Sequence, residues 1–350
     1  MAMDFDLRLI VSNDQDFETM SGSMEHDEST LVGMGLRTSV SPAQLAFYII
    51  LVILGILGNA IVIGVIGKSV IMERSGGQNS NIIIMNMALS NLMVSVMRNA
   101  LLIISDIGSE LYLSKRWCQF LMGVWVWLRS VNVWSTFFLS AFHLHTLRRV
   151  TPVSGNLQGS QGPPKILLLN LASIWLLNLL YSIPAHIFST NGNENTTETL
   201  MLVSSTTRPL LGCVWNFPSS YSGLAYATTS IVIHETFPII LMTISNVSSL
   251  YTLYTHGKMR TSVEGAVVIK RVPAERRAAK VILALVLLFI LSWGTSIISV
   301  NYFNYNKKSS AEFLLVIARF ANIIFIAMSP AILAVGHRRL RAFMKSTLTH

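Results

Sequence analysis

At 350 residues, with 52% hydrophobic and 12% charged side chains, the chain is too apolar for an ordinary soluble domain, and it is neither disordered nor collagen-like in composition. Its formal net charge of +9 raises the possibility of nucleic-acid binding. The distribution of the cations along the chain argues against that reading.

In chain order, residues 1 to 42 come first. The first forty hold eight Asp and Glu among many Ser and Gly. This predicts a disordered tail. The tail lacks a basic start followed by an apolar core, so the first apolar run after it is expected to serve as the targeting signal. No lipidation or retention motif is visible. Seven apolar runs follow: Ala43–Gly67, Asn81–Ile104, Cys118–Leu147, Ile166–Phe188, Leu224–Tyr254, Val281–Val300 and Phe313–Val335. A helix of about 20 mostly apolar residues crosses a bilayer, and only a helix satisfies its own backbone there without partners. The expected fold is therefore an all-α membrane protein, a bundle of seven transmembrane helices over residues 43–335. Residues 336–350 form a short tail. In it Arg338, Arg339 and Arg341 alternate with Leu340, Phe343 and Met344 in the pattern of an amphipathic helix lying on the membrane.

With the N-terminus outside, sixteen Lys and Arg fall in the inner connections and tail, and seven fall outside. The bias of cations to the cytoplasmic side predicts N-terminus outside, C-terminus inside. The basic charge is then a topology signal, and the partners expected are the lipid bilayer and no nucleic acid.

The chain has two cysteines. Cys118 opens the third run at its outer end, and Cys213 lies in the long outer connection between runs four and five. Both face an oxidising compartment, which predicts a disulfide tying that connection to the third helix; two free thiols are the alternative. The same connection, read as a loop without secondary structure, carries the glycosylation sequon Asn195-Thr196-Thr197 on the outer side. Asn246-Val247-Ser248 matches the same pattern but lies inside the fifth run.

Four ionisable residues interrupt the apolar runs: Arg98, Arg129, Glu235 and Arg319. Such groups are costly in hydrocarbon unless paired or hydrated, so each is a candidate functional residue. Arg129 lies eleven residues past Cys118, or about 16 Å along a helix and near the membrane midplane. Trp125, Arg129 and Asn132 share one helical face. Arg319 and Asn322 share another, and His234 adjoins Glu235. With Trp293 and Tyr226 as aromatic walls, these residues could border one outward-opening cavity. Three Arg against one Glu make it net positive, which suits an anionic or polar ligand with an apolar body. A structural Arg129–Glu235 pair, with Arg98 and Arg319 reaching toward the headgroups, is the alternative. Asn59, Asn91 and Ser329 could join in a polar network. His143 and His145 read as a polar helix end and not as a metal site.

Several segments resemble the rhodopsin-like G-protein-coupled receptors from residue 43 to about 345. These are Leu57-Gly58-Asn59, Ala88-Leu89-Ser90-Asn91-Leu92, the Cys118 and Cys213 pair, Pro238 and Ser329-Pro330. The Asp-Arg-Tyr triplet is missing, because Phe142-His143-Leu144 stands there. Ser292-Trp293-Gly294 lacks the usual sixth-helix proline. These departures, with His256-Gly257-Lys258-Met259-Arg260, Pro273-Ala274-Glu275-Arg276-Arg277-Ala278-Ala279 and Ser329-Pro330, are similar to the vomeronasal type-1 receptors and the related class A olfactory receptors of fish. Bitter-taste receptors, which also lack the triplet, are the nearest alternative. The resemblance implies a chemosensory or pheromone receptor of the plasma membrane. Its expected partners are a small-molecule ligand and a heterotrimeric G protein. The ligand site would comprise Arg129, Trp125, Arg98, Glu235, His234, Arg319, Asn132 and Trp293. The inner face would comprise His143, Arg148, Arg149, Lys258, Arg260, Arg276 and Arg277. Nucleotide-binding, zinc-protease and serine-hydrolase motifs are absent, so no enzyme activity, metal or cofactor is expected. The missing internal repeat argues against a transporter.

Overall fold

A computed structural model describes residues 41–72, 78–107, 113–149, 164–191, 213–261, 272–306 and 312–348. Among these, seven long helical segments follow one another along the chain. Span one is α1 (Pro42–Met72). Span two is α2 (Gln78–Val94), a π-helical turn (Ser95–Ala100) and α3 (Leu101–Asp106). Span three is α4 (Lys115–Arg149). Span four is α5 (Pro164–Tyr181) with the short α6 (Ile183–Ile187). Span five is α7 (Ser220–Ser230), a second π-helical turn (Ile231–Thr236) and α8 (Phe237–Thr261). Span six is α9 (Val272–Asn306) and span seven is α10 (Glu312–Gly336). The short α11 (Arg338–Leu348) comes last.

Six of the seven spans are long and apolar enough to cross a bilayer by themselves. Span three is the polar exception, and its place in the bundle accounts for that. It packs against spans two, four, five and six. Arg129, Ser130, Asn132, Ser135 and Thr136 are consequently buried against neighbouring helices and not against lipid. Conversely, Leu168, Leu169, Leu176, Leu177 and Leu180 of span four are exposed. Polar side chains within and bare leucines without is the arrangement a hydrocarbon solvent selects.

Gly58 and Pro330 set the contact of spans one and seven. Pro330, inside α10, cannot donate to the carbonyl four residues earlier, that of Ile326. Asn59 Nδ2 of span one donates to this carbonyl at 3.0 Å, and the Ser329 hydroxyl lies at 3.3 Å. The chains approach closely there: a Cβ on Gly58 would stand 2.8 Å from the Pro330 ring. Asn91 of span two extends the network, donating to Asn59 Oδ1 at 3.3 Å and to Ser329 Oγ at 3.2 Å. Asn132 of span three closes it, donating to Asn91 Oδ1 at 2.6 Å and to Ser90 Oγ at 3.1 Å.

The structure differs from the sequence reading in three places. The outer connection before span five contains a two-stranded antiparallel ribbon, β1 (Ser189–Asn191) with β2 (Cys213–Trp215), where a structureless loop was expected. The Cys118–Cys213 disulfide pins β2 to the top of span three. The described residues at both ends of the inner connection expected over Thr255–Lys280 are helical. Span five runs on to Thr261 and span six starts at Val272, because a helix needs apolar residues only where hydrocarbon surrounds it. Finally, spans two, four and five are not uniform α-helices. Span four breaks at Ser182 before Pro184, whose ring cannot continue the ladder.

Candidate functional site: a guanidinium–indole cluster

The two π-helical turns each lie where a charged residue enters the bundle. A π turn inserts a residue and rotates the remainder of the helix by about 100°, and such bulges recur at functional sites. In span two the turn buries Arg98 and Asn99 together; in span five it buries His234 and Glu235 together. Successive residues on a helix diverge by about 100°, so burying both members of each pair takes neighbouring helices on two sides of the span.

Arg98 and Arg129 meet at Trp125. The Arg98 guanidinium carbon lies 4.4 Å from the Trp125 ring centroid, and that of Arg129 lies 5.9 Å from the same ring and 3.5 Å from the Trp293 ring. Each is a cation–π contact. Arg129 also donates to Asn322 Oδ1 of span seven. Asn322 in turn donates to Ser296 Oγ of span six at 3.1 Å. Beneath Trp293, Phe289 stacks at 6.0 Å and meets Phe325 edge-on at 4.8 Å. Arg129 thus ties span three to spans six and seven at once. The cluster is closed: Trp125 is 1% exposed, and Arg129 and Trp293 are 2% exposed. The Nε–H groups of Arg98 and Arg129 and the indole N–H groups of Trp125 and Trp293 are buried and meet no acceptor among the described residues. Four orphaned donors around two cations form a site short of acceptors, which buried polar groups normally find.

Arg319 belongs to a layer of its own. It forms an ion pair with Asp106 at the end of span two, and its guanidinium lies 3.9 Å over the Tyr48 ring. The Tyr48 hydroxyl donates to Asn99 Oδ1 at 3.0 Å, joining this layer to the π turn beside Arg98. Asp106 corrects the expected charge balance: among the described residues, Arg319 is paired with Asp106 and Arg129 interacts with Glu235, so Glu235 is not the lone carboxylate.

The remaining expected residues separate. Glu235 is buried and interacts electrostatically with Arg129. His234 joins a different group, accepting at Nδ1 from the Trp134 indole at 3.2 Å and packing on the Tyr181 ring at 4.0 Å. An indole N–H only donates, so Nδ1 is the unprotonated nitrogen of His234. Tyr181 stacks on Tyr226 at 5.4 Å, and Tyr226 in turn meets Trp215 at the end of β2 and Phe217 just beyond it. Asn132 faces away from the cluster, into the amide network below. Asn322 joins the cluster although the sequence placed it only on a face shared with Arg319. Asn99 and Asp106 escaped the sequence reading because one hides in a π turn and the other lies beyond an apolar run.

At the inner end, His143 is buried while His145 is exposed, so the histidine expected to face a partner is packed inside. Arg148 and Arg149 end span three, and Lys258 and Arg260 lie on the last turns of α8. Arg276 and Arg277 lie on the first turns of α9, with Arg277 exposed. Residues 262–271, and Asn195 with its sequon, lie outside the described residues.

The sequence profile of the vomeronasal organ pheromone receptor family matches residues 43–346. The chain is 39% identical over 297 residues to the olfactory receptor class A-like protein 4 of Danio rerio, covering 83% of this chain and 86% of that one. It is 27% identical over 197 residues to the vomeronasal type-1 receptor 48 of Mus musculus, covering 55% of this chain and 62% of that one. It is 24% identical over 299 residues to the neuropeptide F receptor of Drosophila melanogaster, 82% of this chain and 57% of that one. A helix bundle with a disulfide-pinned outer ribbon, and a family match across every span, lead to one conclusion. The chain belongs to the vomeronasal organ pheromone receptor family, as a multi-pass chemosensory receptor of the plasma membrane and not an enzyme.

Proposed function

We propose that this receptor, oriented with its N-terminus outside, binds a small anionic or strongly polar molecule with an apolar body in the outer half of the bundle, and that binding activates a heterotrimeric G protein. The observation that carries this reading is the set of four acceptor-starved N–H donors around Arg98 and Arg129. A carboxylate or sulfate brings several lone pairs, and a guanidinium fork takes two of them at once. The indole faces of Trp125 and Trp293 suit the apolar body.

The contacts Arg129 already makes supply a mechanism. An anion that engages Arg129 competes with Asn322 for its N–H groups and draws its guanidinium away from Trp293. Spans six and seven then lose a tie to span three. The ligand favours the loosened form only if it binds that form more tightly than the closed one. The released spans turn at their inner ends and open a groove to the G protein.

A ligand panel grouped by charge, read as nucleotide exchange on a co-expressed G protein and normalised to surface level, tests the reading. Anionic compounds should dominate the responses, and Arg129→Ala should abolish them with the surface level near wild type. The lost charge-assisted contact corresponds to about ten- to hundredfold in affinity. Lysine should rescue only in part, lacking the planar fork. A response profile dominated by cations, or ligand-driven current without exchange, would sink the reading.

A further inference from the structure

After span seven the chain turns at His337, and α11 folds back against α1. Between the two helices lies a crevice of about 670 Å³. Its volume is that of a ligand pocket, commonly about 300–1,000 Å³. Ile61, Val65, Lys68 and Met72 recur at helical spacing along its α1 wall, and Arg339 and Phe343 form its α11 wall. Gly64 leaves a notch in the α1 wall: a Cβ built there meets nothing within 4 Å.

The order of these groups along α1 is chemical. Ile61, Gly64 and Val65 come first and are apolar. Lys68 lies about 10 Å further along the helix than Ile61, toward the end where α11 crosses. A hydrocarbon groove thus leads into a site with two cations, Lys68 and Arg339. By the bias of Lys and Arg, this end is the cytoplasmic one. That is the order of a phospholipid, chain first and phosphate last. A soluble phosphate would use the cations and leave the groove empty. A peptide strand would find no backbone to pair with on two helices. Arg339 has other interactions as well, but a guanidinium has five N–H donors and can serve a phosphate besides.

We propose that this crevice seats one anionic phospholipid of the inner leaflet, with its net-negative headgroup between Lys68 and Arg339 and one acyl chain along Ile61, Gly64 and Val65. The bound lipid would brace α11 against span one at the foot of span seven. The site stands apart from the guanidinium–indole cluster and does not depend on the ligand read there.

The test exploits the cysteine content. Both natural cysteines are in the disulfide, so Ile71→Cys places a single thiol on an exposed position beside the crevice. The full-length receptor, labelled there with a fluorophore, is placed in phosphatidylcholine nanodiscs. These carry rising fractions of nitroxide-bearing phosphatidylserine, or of phosphatidylcholine bearing the same nitroxide. Phosphatidylserine should quench at about 25-fold lower mole fraction, at about fivefold per cation. Lys68→Gln should cut the preference to about fivefold, and so should Arg339→Gln. Gly64→Leu fills open space, so it should abolish the preference while leaving the thermal midpoint in place. Arg338→Gln removes an exposed charge of α11 that does not line the crevice, and should lower the preference by less than either crevice substitution does. Glycerophosphoserine, the headgroup without chains, should not compete. Equal quenching by the two lipids would overturn the proposal. So would a preference that survives Gly64→Leu, one that falls as far with Arg338→Gln as with Lys68→Gln, or one abolished by the chain-free headgroup.

Discussion

Arg129 decides how the cluster is read, because partners of two kinds compete for it. Glu235 interacts with it electrostatically, while Asn322 and Trp293 hold it directly. If the pair were only structural, Arg129→Ala and Glu235→Ala would each leave a buried charge uncompensated, and each would lower the surface level. The double substitution would restore both expression and response, since removing both partners leaves no orphan. For a ligand anchor, the expected outcome differs: Arg129→Ala and the double both lose the ligand response with expression retained, while the missing tie to spans six and seven raises ligand-free exchange. Surface level and dose response of the two singles and the double separate these outcomes. A second residue-scale expectation concerns pH. His337, at the turn into α11, lies with Nε2 3.1 Å from Asn81 Oδ1 of span two. Burial, and then the nearby Arg339, push its pKa below the usual imidazole value of about 6.5. The unfolded chain therefore takes up this proton before the folded one does. The stability of the junction is complete above pH of about 6.5 and declines as pH falls toward the lower folded value. Thermal midpoints measured from pH 7.5 to pH 5 should drop for wild type and drop less for His337→Gln. Parallel curves would remove His337 from the junction.

At the scale of elements, the breaks in the helices matter more than the helices. Pro330 frees a carbonyl that Asn59 collects, and Gly58 lets the two chains come close enough for it to do so. Gly58→Ala would drive a methyl into the Pro330 ring and should cost about 1–3 kcal/mol, the usual penalty of overpacking. Its thermal midpoint should fall, while Gly64→Ala on the same helix, with open space before it, should be neutral. Equal losses at the two positions would refute the close contact of spans one and seven. The Gly58-Asn59 and Ser329-Pro330 pairs were visible in the sequence, and so was the possibility that Asn59, Asn91 and Ser329 join. The π turns were not. Ser95–Ala100 holds no proline or glycine to mark a break, and the turn over Ile231–Thr236 is marked only by Pro238 two residues beyond it, which cannot donate to the His234 carbonyl.

For the whole molecule, activation is expected as a shift of span six against span three, started where Arg129 lets go of Trp293, carried to span five packed beside it, and read at the inner ends. Distance probes at Thr255 and Lys280, measured against His145, should separate when an agonist and a G protein are both bound. Distances that stay fixed in the active complex would count against the mechanism. The number of spans, their order and the basic inner connections were legible in the sequence, because hydrocarbon imposes length and apolarity locally, run by run. The charged positions Arg98, Arg129, Glu235 and Arg319 were legible for the same reason: an ionisable group stands out in an apolar run without any knowledge of its neighbours. Which of them meet was settled by the tertiary structure alone. Arg319 pairs with Asp106 rather than joining Arg129, His234 packs with Trp134 and Tyr181, and Asn132 turns to Asn91. These outcomes depend on the rotation of each span about its axis. Rotation is set by π turns, a proline and small-residue contacts between helices far apart in the chain, and such packing leaves no local periodicity to read.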